Sequence, residues 1–99
     1  MQLVPVKALP YQTLAVQLAG QACVLNIYQK TYGLFMDLYV SGVLVVGGVL
    51  CENLTRIVRD VYLGFIGDFV FGDTQGTSDP FYTGLGTQYL LVYLEEADL

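Results

Sequence analysis

Hydrophobic and polar residues alternate along most of the chain with a period of two, which is the pattern of half-buried β-strands. The alternation is clear over residues 13–18 and again over 23–28, and Ala19 and Gly20 stand between the two runs as turn residues. The pattern therefore predicts a β-hairpin near the start of the chain.

A further strand is predicted over residues 34–40, where Asp37 marks the wetter of the two faces. Phe35 and Tyr39 share that face because they lie two positions from Asp37. The alternate residues are expected to face the core, namely Met36, Leu38 and Val40. Residues 43–46 are apolar at every position, which favours a strand covered on both faces that ends at Gly47 and Gly48.

Residues 49–58 carry the weakest pattern. Asn53 is a suitable helix cap, and the apolar residues behind it follow a spacing of three and four: Leu54, Ile57, Val58 and Val61. We therefore predict a short helical turn here. The alternative is an irregular loop that carries Arg56 and Arg59 into solvent.

The rest of the chain again reads as strands and turns. An extended segment is predicted over 62–65, a strand over 69–71, a polar loop over 72–80 and a last strand over 88–94. The prediction is a single all-β domain spanning residues 1–99. We expect about seven short strands in a small antiparallel β-barrel or sandwich, with one short helical turn.

Composition adds a constraint that the pattern does not show. Hydrophobic residues make up 55% of the 99 residues and charged residues only 13%, which is more apolar side chain than one small core can bury. The surplus predicts an interface in an oligomer or larger assembly. A membrane is the rival explanation, but the uncharged stretch from Leu38 to Cys51 is shorter than the roughly 20 residues of a spanning helix.

Charge argues against a nucleic-acid partner, because the net charge is −5 and only four residues are basic. The acidic residues 95–98 are expected to form a solvated end. Three tyrosines close to that end, Tyr82, Tyr89 and Tyr93, are too many for so small a core, which favours an interface role for some of them.

The chain offers few residues for catalysis. It has no histidine, and Cys23 and Cys51 are interpreted as buried reduced thiols, with a single disulfide between them as the alternative.

Asp68, Asp73 and Asp79 could pair as glycosidase carboxylates, but a domain this small has little room for a sugar cleft. We therefore predict no enzymatic activity, no catalytic residues, no metal and no cofactor. A calcium site in residues 73–79 is the alternative to ordinary turn chemistry there.

The loop from Gly72 to Gly86 is our candidate partner contact. It holds Phe81, Tyr82 and Leu85 in a segment too polar and glycine-rich to be core. The alternative is that these three side chains attach the loop to its own domain.

Three stretches, in this order, resemble the small baseplate plug proteins of contractile-tailed phages, a family known from a cyanophage baseplate. The first runs from Leu9-Pro10-Tyr11-Gln12-Thr13-Leu14 into Leu18-Ala19-Gly20-Gln21. The second is Phe35-Met36-Asp37-Leu38 with Gly42 and the apolar residues 43–50. The third is Gly64-Phe65-Ile66-Gly67-Asp68, then Asp79-Pro80-Phe81-Tyr82, Leu85-Gly86-Thr87 and Leu91-Val92-Tyr93. Family members carry more arginine in the second strand, where this chain has Val24, Asn26 and Tyr28.

The resemblance implies a structural protein of the virion that is assembled in the host cytoplasm. It would lie in the tail baseplate at the distal end of the tail tube, near the hub and the spike. Its partners would be hub, spike and tube proteins and symmetric copies of itself. Residues 1–5 lack the basic start of a signal peptide, which agrees with that localisation. The alternatives are another virion β module, such as a tail-tube or tail-completion protein, or a calcium- or carbohydrate-binding β domain.

Overall fold

The computed structural model describes residues 1–59 and 64–99 of the chain. It contains seven strands: β1 (Gln2–Val4), β2 (Tyr11–Leu18), β3 (Gln21–Lys30), β4 (Gly33–Val40), β5 (Val43–Leu50), β6 (Asp68–Asp73) and β7 (Tyr89–Leu94). Two short 3₁₀ turns lie at Tyr82–Gly84 and Glu96–Asp98. The predicted all-β class with about seven strands is confirmed.

The strands form two antiparallel sheets. One has the order β2-β3-β4-β5 and the other β1-β7-β6, and within the described residues no strand pairing joins the two sheets into a barrel. Of the two predicted architectures, the sandwich is therefore the one observed. No described helix is long and apolar enough to cross a membrane.

Tight turns connect β2 to β3 and β4 to β5. Ala19 and Gly20 have φ angles of 51° and 75°, and Ser41 and Gly42 have 50° and 81°. Two successive residues with positive φ give a turn whose twist matches the right-handed twist of the flanking strands. The predicted hairpin at 13–28 is confirmed, and the same turn geometry occurs again in the β4–β5 hairpin.

The core lies between the two sheets and follows the alternation along the strands. Leu25, Ile27, Met36 and Leu38 point inward from β3 and β4, and all four are fully buried. The other sheet contributes buried aromatic and aliphatic residues, namely Phe69, Phe71, Tyr89, Leu91 and Tyr93. The predicted core face of residues 34–40 is confirmed for Met36 and Leu38, and Val40 is half-buried against the same core.

The helical turn predicted within 49–58 is wrong. Val49 and Leu50 belong to β5, and the chain beyond them runs beside β6, where Asn53 makes a parallel bridge to Phe71. The Ile57 N–H also donates to the Phe69 carbonyl over 3.0 Å. These bonds cover the open edge of β6, and this gain overrides a helical spacing that is only one turn long. The irregular alternative is the one observed, with Arg56 and Arg59 exposed.

Other predictions differ from the structure or concern residues outside its described part. β5 is not covered on both faces: it is an edge strand that continues through Gly47 and Gly48, with Val43 67% exposed. Strand β1 was not predicted. Val61 of the helical spacing, and residues 62 and 63 of the predicted extended segment, lie outside the described residues. Gly64 and Phe65, which complete that segment, belong to no strand.

Candidate interaction surface

The four-stranded sheet presents an outward face on which apolar side chains form two rows, and we call this the outer face. Directly paired residues of antiparallel strands point to the same side of a sheet, so the strand register defines each row. The aromatic row crosses the sheet at Tyr11, Tyr28, Phe35 and Leu50. The aliphatic row crosses it at Ala15, Val24, Tyr39 and Leu44.

Side chains of the aromatic row touch one another in the manner of cross-strand aromatic pairs. The rings of Tyr11 and Tyr28 are 6.5 Å apart, and those of Tyr28 and Phe35 are 6.1 Å apart and nearly parallel. Lys30 places its ammonium 5.5 Å from the centre of the Tyr28 ring at the rim. Tyr11 is nevertheless 63% exposed and Leu44 52% exposed, so the outer face has no cover within the described chain.

A polar row separates the two apolar rows and consists of Thr13, Asn26 and Asp37. The Thr13 hydroxyl donates to Oδ1 of Asn26 over 2.8 Å. Oδ1 of Asp37 accepts from the Tyr28 hydroxyl at 3.0 Å and from the Gly48 N–H at 2.7 Å. Burial, assisted by the bond to Asp37, raises the pKa of the Tyr28 phenol, which therefore remains a donor at neutral pH.

The 3₁₀ turn Tyr82–Gly84 and its flanking residues contain the sequence-predicted contact residues. Phe81 is 47% exposed, and its ring lies 5.0 Å from that of Tyr82, which is half-buried. The Tyr82 N–H donates to Oε1 of Gln29, which attaches the turn to β3. Leu85, in contrast, is only 2% exposed and belongs to the core of its own domain. Leu85 thus attaches the loop to its own domain, which was the alternative considered for it, whereas Phe81 is exposed and Tyr82 is partly exposed.

The three tyrosines near the acidic end divide in the same way. Tyr89 and Tyr93 are buried, whereas Tyr82 is only partly covered. The Tyr93 hydroxyl donates to the Ile66 carbonyl, which satisfies its polar group within the core. The expectation that not all three are buried is met, but two of the three act in the core rather than at a surface.

The carboxylates of Asp73 and Asp79 accept hydrogen bonds that hold the loop in its conformation and position. Asp73 accepts from the N–H groups of Gln75 and Ser78 at 2.8 and 2.9 Å, and it also accepts from the Gln88 amide. These bonds, first of all the one from Gln75, hold the pKa of the Asp73 carboxyl below its usual range. Asp79 accepts from the Asn53 N–H. Asp73 thus makes the turn contacts expected of an aspartate in a loop, whereas Asp79 joins its loop to the segment after β5.

Asp68, the third candidate carboxylate, is only 4% exposed and accepts backbone hydrogen bonds on both oxygens. Among residues 1–59 and 64–99, no three metal-ligating side chains lie together. Cys23 and Cys51 are free and buried, and burial raises the pKa of the Cys51 thiol to about 12. Both thiols therefore act as apolar core groups, as predicted.

Sequence reasoning did not identify the outer face as a surface. The alternation showed that Phe35, Asp37 and Tyr39 share one side of β4, and that side was interpreted as wetter because of Asp37. The available signal was that Lys30, at the rim, is the only lysine, arginine or glutamate at the outward positions of these four strands. Recognising that signal requires the register of the sheet, because the rows exist only across strands.

Comparison with protein-family models relates the chain to a known family. The model of a family described as "Cyanophage baseplate Pam3 plug gp18" matches residues 1–96 of the chain. No curated protein matches the sequence significantly.

Proposed function

The chain belongs to the cyanophage baseplate plug family, and from this membership we propose that it is a structural component of a contractile phage tail baseplate. It packs near the hub and the spike at the distal end of the tail tube. Its neighbours are hub, spike and tube proteins and copies of itself. It is assembled in the host cytoplasm, and its role is packing rather than catalysis.

The observation that carries this proposal is the exposed apolar outer face. Twelve large hydrophobic side chains of the described residues are exposed, including Tyr11, Leu44 and Leu50 on that face. Large exposed apolar side chains that share one face of a small domain mark an interaction site, since their burial in a partner removes them from water. The chain therefore has the surface of a subunit that is completed by its neighbours.

A second contact is proposed at the 3₁₀ turn. Phe81 and Tyr82 form the contact itself, and Leu85 holds the turn against its own core from beneath. Aromatic side chains on an anchored turn lose little conformational entropy when they enter a partner's pocket. Of the three sequence-predicted contact residues, Phe81 and Tyr82 are kept in the proposed contact and Leu85 is not.

The location is tested by deleting the gene in the phage, supplying the protein in trans and imaging the tail tips by electron cryomicroscopy. We expect tails without the protein to lack an ordered distal tube end, and we expect complemented particles to show its density beside the hub and spike. An intact baseplate in the deletion strain would contradict the structural role. Density elsewhere in the tail would contradict the location.

The turn contact is tested in the same complementation system with F81A and with T83A as its control. Both residues are exposed and lie on the same turn, so both variants should keep the wild-type melting temperature. We expect F81A to lower the yield of infectious particles by about tenfold, as for an interface aromatic of moderate importance, while T83A leaves it unchanged. Equal yields for the two variants would contradict a contact at Phe81.

A further inference from the structure

The outer face also identifies its own occupant. We propose that it packs face to face against the same face of a second copy of this chain, around a two-fold axis that runs parallel to the strands between β3 and β4. This inference rests on the proposed packing role and specifies the partner. Such an axis places β2 over the partner's β5, and β3 over the partner's β4.

The polar row supplies the first argument. Oδ1 of Asn26 accepts the hydrogen bond from Thr13, whereas Nδ2 of Asn26 donates to no group of the described residues. Asp37 binds its two internal donors through Oδ1, which leaves Oδ2 as an acceptor. The two-fold axis brings Asn26 of each copy over Asp37 of the other, so the amide–carboxylate contact is made twice in the dimer.

The two apolar rows supply the second argument, because the same axis pairs each side chain with a suitable one. The small Ala15 comes to lie over Leu44 of the second copy, and Val24 over Tyr39, so large side chains meet smaller ones. In the other row, Tyr28 comes to lie over Phe35 of the second copy, which is an aromatic pair and not a large side chain over a small one. Interdigitation of large with small side chains is what allows two sheets to pack at a spacing of about 10 Å.

The net charge and the buried area determine the affinity that we expect for the dimer. Two copies that each carry −5 repel each other, but Asp37 is the only charged residue in the three rows. Four strands of about 4.8 Å spacing and roughly eight residues give a face of about 500 Å² for each copy. The total of about 1,000 Å² is at the lower limit of specific interfaces, so we expect a weak dimer with a dissociation constant in the micromolar range.

The first test is analytical ultracentrifugation of the purified protein from about 1 to 500 μM, a range that brackets a micromolar constant. We expect a monomer–dimer equilibrium whose constant rises at least about tenfold in V24K, which places a charge in the centre of the face. T87K is the control, since Thr87 is exposed and outside the rows. A wild-type monomer at every concentration would overturn the proposal, and so would a dimer that V24K leaves intact.

The second test fixes the geometry. β2 and β5 are separated by three strand spacings, about 14 Å, so cysteines at positions 15 and 44 of one chain cannot reach each other. Under mild oxidation the A15C/L44C double variant should form a covalent dimer, whereas each single variant should not. Cross-linking of the single variants, or none in the double variant, would overturn the two-fold arrangement. Neither assay involves the phage, so both outcomes are independent of the complementation result.

Discussion

Replacement of Asp68 by asparagine tests how the chain between β5 and β6 is held in place. The carboxylate accepts from the N–H groups of Ile57, Val58, Arg59 and Phe69 at 3.2, 2.8, 2.8 and 2.7 Å. In D68N the new NH₂ group takes the place of one oxygen and points a donor at a donor. Loss of one charge-assisted bond costs about 1.5–3 kcal/mol, and the remaining bonds lose their charge, so we expect a total destabilisation of about 3 kcal/mol.

The free energy of unfolding is to be measured by urea denaturation, with thermal melting as a second readout. For a domain of this size about 3 kcal/mol corresponds to a fall in melting temperature of about 12–24 °C. E52Q is the control, because it removes the same charge from an exposed side chain of the same segment. A D68N value within about 0.5 kcal/mol of the wild type would refute the view that this carboxylate anchors the segment.

Three further predictions follow from single contacts. G67A should lower the free energy of unfolding by more than about 2 kcal/mol, because φ is 93° and the new Cβ would clash with a backbone oxygen. G20A, with φ of 75° and open space around the new Cβ, should lower it by only about 1 kcal/mol. Equal melting temperatures of the two variants would contradict this prediction. Because the pKa of Asp73 is lowered in the folded state, its ionised form stabilises the fold above about pH 4, and this contribution is lost as the pH falls. The free energy of unfolding should therefore fall less on acidification in D73N than in the wild type. The same fall in both proteins would contradict this prediction. Cys23 and Cys51 should resist iodoacetamide at about pH 8 until the protein unfolds, because both are buried with raised pKa values; mass spectrometry showing rapid labelling of the native protein would exclude this.

The all-β class and most core positions could be predicted from the order of residues alone. Leu25 and Met36 are fully buried, and each lies at the position that a period of two assigns to the core. This works because the side-chain alternation of a strand is a local property of the backbone, so the sequence displays it directly. Composition also indicates that some large apolar side chains stay exposed, because a short chain encloses little volume, but it does not indicate which ones.

Other features depended on contacts between distant parts of the chain. The sequence pattern of an apolar strand such as β5 is the same whether its own domain or another subunit covers it. Only the order of strands in the sheet shows that β5 lies at an edge. The segment after Cys51 is extended because β6 and Asp68 offer it hydrogen bonds that no local pattern reveals. Likewise, Leu85 is core and Phe81 is surface although both lie in one polar loop. Local periodicity determines which way a side chain points, whereas long-range packing determines what it meets there.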